Sequence, residues 1–376
     1  MPALTRSHGS PIGNGFALVG TYASRLERRL QRFGAGMIPV AMSGKDGAHP
    51  SQWKHEPAKT RSRPRTSLHV PRGVKEALLT IDGKSVKLTN LTKLFWPREG
   101  ITKRDLLQYY ADIAPVLLPH LEDRAMVMKR YPDGAAGHSF FMKHAPDYRP
   151  EWLPICSIAH NSGNVIDFAV VQDTAALLWV VNLGCIDLNQ WYAPCCDVDH
   201  PDYLHFDLDP GQPATFDQVR EVALLVHRLF ESSSLPSYAK TTGSRGIHVY
   251  VPIVRGPTQK QVWAFAKQLA QQLAAAHPAL ITAEYRIAKR PAGRILVDYN
   301  QNAWGRTLAS VYSVRPRPRA PVSTPVTWDE VERGIAIDSF RLDNVRRRIG
   351  EQGDLWKPLL RKRGRANLER LLKTFA

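Results

Sequence analysis

The chain has 376 residues, 43% of them hydrophobic, so it can bury an ordinary core in one large or two medium domains. Its 51 lysines and arginines outnumber its 34 acidic residues, and the formal charge of +17 predicts a polyanionic partner, nucleic acid ahead of an anionic membrane. Because no apolar run approaches the roughly 18 residues that span a bilayer and no secretory signal opens the chain, we expect a cytoplasmic protein without a membrane partner.

Residues 1–73 are predicted to be a basic N-terminal appendage. They are rich in Pro, Gly, Ser and His, and the basic run at 59–65 cannot bury enough apolar area to fold. We expect this segment to be disordered and to act either as a non-specific contact with nucleic acid or as a passive tether. Residues 74–376 are predicted to form the folded domain, with a basic, helical part from about residue 328.

The folded domain opens with a hairpin signal. Alternating segments at 78–81 and 85–88 are joined by Asp82-Gly83, a pair that favours a type I′ turn. Thr102 and Asp105 have the spacing of a capping box, which predicts a helix with an apolar stripe at 106–117. Further strands or apolar segments are predicted at 126–131, 139–143, 165–170, 177–188, 203–209, 237–242, 248–252 and 294–299. Further helices are predicted at 216–232 and 258–276. This mixture of helices with antiparallel strand pairs predicts an α+β, or mixed α/β, domain.

Cations and aromatic residues lie close together in the first part of this domain. Lys129 and Arg130 end one predicted strand, and Phe140 and Phe141 lie in the next. Such a set suits a surface that pairs phosphates with charge and stacks bases on rings. Because alternating aromatic residues in a strand are more often buried, we also expect at least one of the two phenylalanines in the core.

Two adjacent cysteines raise the question of a zinc site. Cys195 and Cys196 are followed by Asp197, Asp199 and His200, but this spacing matches no C-x₂-C or H-x₃-H pattern. We interpret them as loop thiols. The four cysteines of the chain are too few for a disulfide framework, which favours a reducing environment.

The strand predicted at 203–209 carries two aspartates on one face. Alternate side chains of a strand share a face, so His205, Asp207 and Asp209 lie opposite the apolar residues between them. Two carboxylates held this close repel each other, and a hard divalent cation such as Mg²⁺ or Mn²⁺ is the usual compensation. The alternative is a solvated edge strand that runs into a Pro-Gly turn.

Asp298 closes a later predicted strand. If that strand lay beside Asp207 and Asp209, the three carboxylates would complete a two-metal site of the kind that clamps the attacking and leaving oxygens of a phosphoryl transfer, with ions roughly 4 Å apart. Taken alone, Asp298 is better explained as a turn residue at the end of a strand.

The turn after the strand at 237–242 combines glycines, hydroxyls and cations. Its members are Thr242, Gly243, Ser244, Arg245, Gly246 and His248. The glycines allow backbone N–H groups to face inward as an anion nest, and the side chains add further donors and charge. The turn therefore predicts a phosphate cradle, although it lacks the spacing of a P-loop. A hairpin with a polar turn is the alternative.

These motifs, in this order, resemble the polymerase domain of the bacterial non-homologous end-joining DNA ligases, a branch of the archaeo-eukaryotic primase superfamily. The resemblance covers residues from about 88 to 328. It rests on the segments LTNLTKLFWP at 88–97, KRYPDG at 129–134, SFF at 139–141, LHFDLDP at 204–210, TGSRGIH at 242–248, VDY at 297–299 and PVSTP at 321–325.

The resemblance implies a primase-polymerase core with a central, largely antiparallel sheet flanked by helices. It implies an enzyme, a DNA-directed nucleotidyltransferase that adds NTPs or dNTPs to a primer 3′-hydroxyl at gaps or double-strand breaks. Two Mn²⁺ or Mg²⁺ ions would be its cofactors, and DNA, a Ku homodimer and a DNA ligase its partners at the nucleoid. A non-catalytic DNA-end-binding module of the same fold and a dedicated primase are the alternatives.

The resemblance also implies residue roles. The catalytic, metal-binding carboxylates would be Asp207, Asp209 and Asp298. The nucleotide would be bound by Lys129, Thr242, Gly243, Ser244, Arg245, Gly246, His248, Gln301 and Arg315. The 5′-phosphate of a DNA end would be bound by Lys93 and Lys103. The templating base or nucleotide would stack on Phe140 and Phe141.

The sequence departs from the family pattern at one informative place. The chain has Asn189-Gln190-Trp191 where the family often has His-Pro-Trp, and that histidine contributes to the nucleotide site. No Lys-x-Asp-Gly adenylation motif is present, so any ligase activity would reside elsewhere. The basic clusters at 346–348 and 361–363 are expected either to engage DNA or to be solvated helix faces.

Overall fold

The computed structural model describes residues 68–160 and 162–375, and the predicted appendage at 1–67 lies outside the described residues. The described chain up to Ala366 belongs to one unit, whereas the final helix belongs to a second unit. Residues 68–70, which the sequence analysis assigned to the appendage, lie against the first helix. The N–H of Val70 donates to Oε1 of Gln108 at 2.9 Å, and its carbonyl oxygen accepts from Arg104.

In the described part of the chain the strands are β1 (Ala77–Ile81), β2 (Lys84–Leu88), β3 (Leu94–Trp96), β4 (Ile101–Thr102), β5 (Ala125–Arg130), β6 (Phe140–Met142), β7 (Ile155–Ala159), β8 (Val165–Val170), β9 (Cys185–Gln190), β10 (Tyr203–Pro210), β11 (Tyr238–Thr241), β12 (Ile247–Pro252), β13 (Ile281–Thr282), β14 (Ile295–Asp298) and β15 (Pro325–Val326). The α-helices are α1 (Lys103–Leu121), α2 (Thr174–Asn182), α3 (Phe216–Ser232), α4 (Gln259–Ala276), α5 (Trp328–Arg333), α6 (Val345–Gln352) and α7 (Leu368–Phe375).

Local sequence signals set several of these boundaries. Asp82 and Gly83 both have positive φ, 49° and 80°, as a type I′ turn between β1 and β2 requires. Thr102 and Asp105 form the predicted capping box at the start of α1. The segment at 177–188 differs from its prediction as one apolar stretch, because its first residues belong to α2. That helix begins where the side chain of Asp173 accepts from the N–H of Ala176.

The acidic strand β10 lies inside the larger sheet. Its six strands have the order β13-β14-β10-β12-β11-β15, and every pair is antiparallel except β13 with β14. Helices α3 and α4 pack against this sheet, and Phe206 of β10 stacks on Phe230 of α3. The predicted largely antiparallel sheet flanked by helices, and with it the mixed α/β class, is confirmed.

A second sheet of five strands was not anticipated. Strands β6, β5, β8 and β7 follow one another, and β9 also pairs with β5. Residues 312–323, which we call the arginine hairpin, connect this sheet to the first. The N–H of Leu188 on β9 donates to Oγ of Ser313 at 3.0 Å, and the hydroxyl of Ser323 donates to the carbonyl oxygen of Thr241 on β11 at 2.9 Å. The ends of β9, β10 and β11 are thereby brought together.

The interior is mainly apolar, although some polar side chains such as Lys240 are also buried. Helix α1 buries Leu106, Tyr109, Tyr110 and Leu117 completely, as its predicted stripe requires. Among the described residues, no helix combines the length and the apolar character needed to cross a bilayer.

Candidate active site

The register of β10 and β14 brings the three predicted carboxylates to one face of the larger sheet. Asp207 on β10 lies directly opposite Asp298 on β14, and Asp209 lies opposite Leu296, two residues away. Direct cross-strand neighbours have Cβ atoms about 4.5–5.5 Å apart, and diagonal neighbours about 7–8 Å apart. Asp298 is the last residue of β14, as the strand-end alternative predicts, and its side chain also faces Asp207.

Burial makes this group of acids electrostatically unfavourable. It raises the pKa of Asp207 to about 6, against the opposing effect of Lys240 and Arg315. Burial also raises the pKa of Asp209 to about 6, and the neighbouring Asp207 and Asp298 add to the shift. Burial is also the main cause of the raised pKa of Asp298. The site thus holds more negative charge than its surroundings stabilise, which a bound cation would correct.

The donor chemistry fits a hard divalent cation. Oδ1 of Asp207 is buried without an aligned hydrogen bond from the described residues, although Nε2 of His248 lies 3.2 Å away. Among those residues no three His, Cys, Asp or Glu side chains converge as a ready-made metal cage. Carboxylate oxygens on neighbouring strands are nonetheless the ligands that Mg²⁺ and Mn²⁺ prefer, and the orphaned oxygen of Asp207 is available to one.

Asp298 is held in place by the residues that follow it. Its Oδ1 accepts from the N–H of Asn300 at 2.8 Å, and its Oδ2 accepts from Nε2 of Gln301 at 3.0 Å. Gln301, which the resemblance assigns to the nucleotide, is therefore in contact with a predicted metal-binding carboxylate.

A fully buried lysine lies behind His248. Nζ of Lys240 lies 2.6 Å from Nδ1 of His248 and 3.0 Å from the carbonyl oxygen of Ala309, and it also contacts Oγ of Ser323. Burial lowers the pKa of Lys240 well below its usual value. Burial, followed by the charges of Lys240 and Arg315, likewise holds the pKa of His248 well below its usual range. His248 is thus a neutral imidazole whose other nitrogen faces Asp207.

Replacing Lys240 with Met should therefore weaken both nucleotide use and the fold. The apolar side chain fits a buried position, but it leaves Nδ1 of His248 without its partner. We expect kcat/KM for the nucleotide to fall about tenfold and the free energy of unfolding to change by about 1–3 kcal/mol. Steady-state extension kinetics and urea unfolding measure the two quantities, and an unchanged kcat/KM would contradict the positioning of His248 by Lys240.

The predicted cradle is a tight turn stabilised from within. Oγ1 of Thr242 accepts from the N–H groups of Ser244 and Gly246, both at 3.1 Å. Two backbone donors of the expected anion nest are therefore already engaged within the turn. The glycines serve close packing instead, because a Cβ on Gly246 would lie 2.2 Å from the carbonyl oxygen of Leu208.

Gly246→Ala is accordingly expected to displace the turn from β10. We expect it to destabilise the protein by about 2–3 kcal/mol, by overpacking, and to raise the KM for the nucleotide. Gly350→Ala is the matched control, since a Cβ there meets no described atom within 4 Å and alanine favours the helix α6. Thermal unfolding of the two variants side by side checks the prediction, which would be wrong if both were as stable as the wild type.

Arg315 reaches the cradle from the base of the arginine hairpin. One of its terminal nitrogens donates to the carbonyl oxygen of Thr242 at 2.9 Å, and its Nε lies 2.9 Å from Oδ1 of Asp187. Nζ of Lys129 lies 3.9 Å from the other oxygen of Asp187. Two of the predicted nucleotide-binding cations thus share one buried carboxylate.

Asp187 is not among the site residues predicted from the sequence. It lies in the apolar segment predicted at 177–188, where its one signal is a single carboxylate among apolar residues. Asp187 is 2% exposed, and burial raises its pKa despite the two cations. Asn189, which replaces the family histidine, lies two residues further along β9 and donates to the carbonyl oxygen of Asp187 at 3.0 Å.

The two lysines assigned to a DNA 5′-phosphate line one cavity of about 220 Å³. Nζ of Lys93 donates to Asp133 at 2.9 Å, and Nζ of Lys103 donates to the carbonyl oxygen of Thr89 at 2.7 Å. Burial, followed by the charges of Lys93 and Arg130, lowers the pKa of Lys103 to about 8. A phosphate in this cavity would offset that clustering of positive charge.

Both phenylalanines of β6 are exposed, 40% for Phe140 and 62% for Phe141. The expectation that one of them is buried is therefore wrong. The register of β5 and β6 places Arg130 opposite Phe140 and Lys129 opposite Phe141, beyond the buried part of β5. Each cation lies 5.3 Å from the centre of the ring that it faces.

The remaining candidates are structural or simply exposed. Cys195 is buried in an apolar cluster, Cys196 is exposed, and both are free thiols. The arginines of the first basic cluster form ion pairs with acidic residues, in the pairs Arg346–Asp112, Arg347–Glu351 and Arg348–Glu330. Residues 361–363 of the second cluster are exposed.

Comparison with known proteins places this arrangement in a family. The chain is 36% identical over 276 residues to the multifunctional non-homologous end joining protein LigD of Mycolicibacterium smegmatis, and 31% identical over 271 residues to the bifunctional LigD of Bacillus subtilis. The alignments cover 73% and 71% of this chain, which spans only 36% and 43% of those relatives.

A solved structure supports the same family. The polymerase domain of Mycobacterium tuberculosis Ligase D in complex with DNA matches with a TM-score of 0.68 and 31% identity, over 73% of this chain and 98% of that one. The family model for the LigD primase-polymerase domain matches residues 102–356. The chain therefore belongs to the LigD primase-polymerase family, a family of nucleotidyltransferases, as its motifs predicted.

Proposed function

We propose that this protein is a DNA-end repair polymerase of non-homologous end joining, which adds nucleotides to a primer 3′-hydroxyl at gaps or double-strand breaks. The observation that carries the proposal is the pairing of Asp207 with Asp298 across β10 and β14, beside the cradle turn. Relatives named for end joining, and a neighbour whose structure includes DNA, support it.

Asp207, Asp209 and Asp298 would hold two divalent ions, Mn²⁺ or Mg²⁺. When bound, such ions activate the primer hydroxyl and stabilise the charge that develops on the leaving pyrophosphate. The carboxylates themselves supply the negative potential that attracts the ions, and Gln301 and Asn300 fix the orientation of Asp298. His248 faces Asp207 as a neutral donor or acceptor without adding charge.

The cations around the cradle would bind and orient the nucleotide's phosphates. Lys129 approaches from β5 of the second sheet and Arg315 from the arginine hairpin, and Asp187 contacts both. Arg245 is exposed at the turn, and its charge opposes the rise in the pKa of Asp209, so it lies near the carboxylates. Guanidinium groups suit phosphate because they donate in a planar fork.

The DNA end would be held away from the carboxylates. The cavity with Lys93 and Lys103 fits a 5′-phosphate in size and charge. Phe140 and Phe141 present exposed faces for base stacking, which contributes about 1–3 kcal/mol per base. A ligase, a Ku homodimer and the nucleoid are the partners and location proposed from the relatives, whose remaining length this chain does not span.

A primer-extension assay tests the proposal. Wild-type protein should extend a primer across a 5′-phosphorylated gap with Mn²⁺ and NTPs, whereas the double variant Asp207→Ala, Asp209→Ala should not. DNA binding by the double variant, measured by fluorescence anisotropy, is the control for folding. Wild-type binding without extension would favour the non-catalytic end-binding module, and synthesis on single strands without a primer would favour a primase.

A further inference from the structure

The tip of the arginine hairpin presents two arginines on a rigid backbone. The hairpin is closed where the N–H of Arg315 donates to the carbonyl oxygen of Pro321 at 2.8 Å. Two prolines, Pro316 and Pro318, restrict the backbone between them. The carbonyl oxygen of Arg317 accepts from Nε1 of the buried Trp96 at 2.9 Å, so its backbone is fixed while its side chain is exposed.

The same tip holds two consecutive residues in a left-handed conformation. Arg319 has a φ of 67° and Ala320 a φ of 47°. Neither is glycine, and such residues persist only where the surroundings hold them. Here the N–H of Arg319 donates to Glu99 at 2.6 Å, and the carbonyl oxygen of Ala320 accepts from the N–H of Leu342 at 3.0 Å. The strain keeps an arginine at a position that glycine would occupy without cost.

These arginines line a pocket beside the cradle. The pocket has a volume of about 200 Å³ and lies between the tip, the turn at 243–245 and residues 337–341. Its wall contains four arginines and one aspartate, which are Arg245, Arg317, Arg319, Arg341 and Asp338. Arg319 pairs with Asp338 at an exposed position, and the half-buried Arg341 pairs with Asp343.

Two of the four guanidinium groups have no ion-pair partner among the described residues. Within the described ranges 68–160 and 162–375, the side chains of Arg245 and Arg317 make no hydrogen bond or ion pair. Surface ion pairs such as those of Arg319 and Arg341 contribute little and are readily exchanged for another anion. The pocket therefore carries an excess of positive charge, which the acidic residues of the described chain balance only in part.

We propose that this pocket binds a backbone phosphate of the DNA strand that passes the nucleotide cradle. None of the three aspartates, nor Arg315, is part of its described wall, so it is distinct from the place where a nucleotide must react. It adjoins that place through Arg245, whose charge acts on Asp209. Rigid, unpaired guanidinium groups at an open pocket suit a phosphodiester, since such contacts position a strand without reading its sequence.

This inference rests on the proposed function for the identity of the strand, but its test does not require catalysis. The double variant Arg317→Ala, Arg319→Gly removes two cations and relieves the strained φ, so it is expected to fold at least as well as the wild type. The matched control is Arg228→Ala, Lys260→Ala, which removes the same charge from exposed positions on α3 and α4.

Fluorescence anisotropy with gapped DNA, without nucleotide or metal, measures the effect. We expect the Kd of the hairpin variant to rise about five- to tenfold and the slope of log Kd against log salt to fall by about one, while the control changes neither by more than about twofold. Equal weakening by the control would assign the effect to general charge and overturn the site. An unchanged Kd for DNA, with weaker binding of inorganic pyrophosphate, would assign the pocket to the nucleotide's phosphates and also overturn it.

Discussion

Replacing Asp209 with Asn should abolish primer extension while leaving the DNA complex intact. Asp209 shares one face of β10 with Asp207, and its carboxylate is one of three that would hold the metal ions. An amide cannot supply the same charge, so we expect kcat to fall by about 10³-fold or more. Extension kinetics and anisotropy on the same gapped DNA measure the two properties. Activity within about tenfold of the wild type would remove Asp209 from the site.

The same substitution should stabilise the metal-free protein at neutral and alkaline pH. Burial and neighbouring acids raise the pKa of Asp209 from its usual 3.8 to about 6, so ionisation of this group opposes folding. The loss of folding free energy caused by ionising Asp209 is absent below about pH 4, grows as the pH rises toward 6, and is constant above that. With allowance for solvent screening we expect Asp209→Asn to gain about 1–2 kcal/mol at pH 8.

Urea unfolding in the presence of a chelator checks this part. The stability difference between Asp209→Asn and the wild type should shrink as the pH is lowered from 8 to 4. Asp217→Asn is a suitable control, because that carboxylate is 83% exposed and pairs with Arg220 on the surface of α3. A wild type that is more stable than Asp209→Asn at pH 8 would contradict the predicted cost of ionising Asp209, which comes first from burial and then from the neighbouring acids.

Replacing Asp187 with Ala should damage both the fold and the cradle. Asp187 is buried between Arg315 and Lys129, and its removal leaves Arg315 beside the cradle without a counter-charge. Losing one partner of such a pair costs about 3 kcal/mol, whatever the net contribution of the pair itself. Because Arg315 also donates to the carbonyl of Thr242, we expect the KM for the nucleotide to rise about tenfold or more.

The isosteric variant separates charge from shape. Asp187→Asn keeps an oxygen acceptor for Arg315 and should recover part of the stability, but it should not restore the KM. DNA binding without nucleotide should be close to that of the wild type in both variants, since Lys93 and Lys103 line a different cavity. If DNA binding failed while the KM for the nucleotide stayed normal, Asp187 would have no part in the cradle.

Local chemistry made much of the fold predictable. The φ values of the Asp82-Gly83 turn and the capping box of Thr102 depend on neighbouring residues alone, and both were predicted correctly. The alternation of β10 likewise determined that its apolar face would pack against a helix. The order of motifs was sufficient to identify the family.

Long-range register decided what the sequence left open. Only the pairing of β10 with β14 places Asp298 opposite Asp207, because residues 91 positions apart carry no local signal of contact. The same holds for Asp187, whose partners come from β5 and the arginine hairpin. It also holds for the exposure of Phe140 and Phe141, which lie on the edge strand β6 of the second sheet. The sequence by itself thus determined the elements, the family and the acids at β10. The tertiary structure decided which charges face one another, since burial and cross-chain distance, rather than residue type, set their electrostatic interaction.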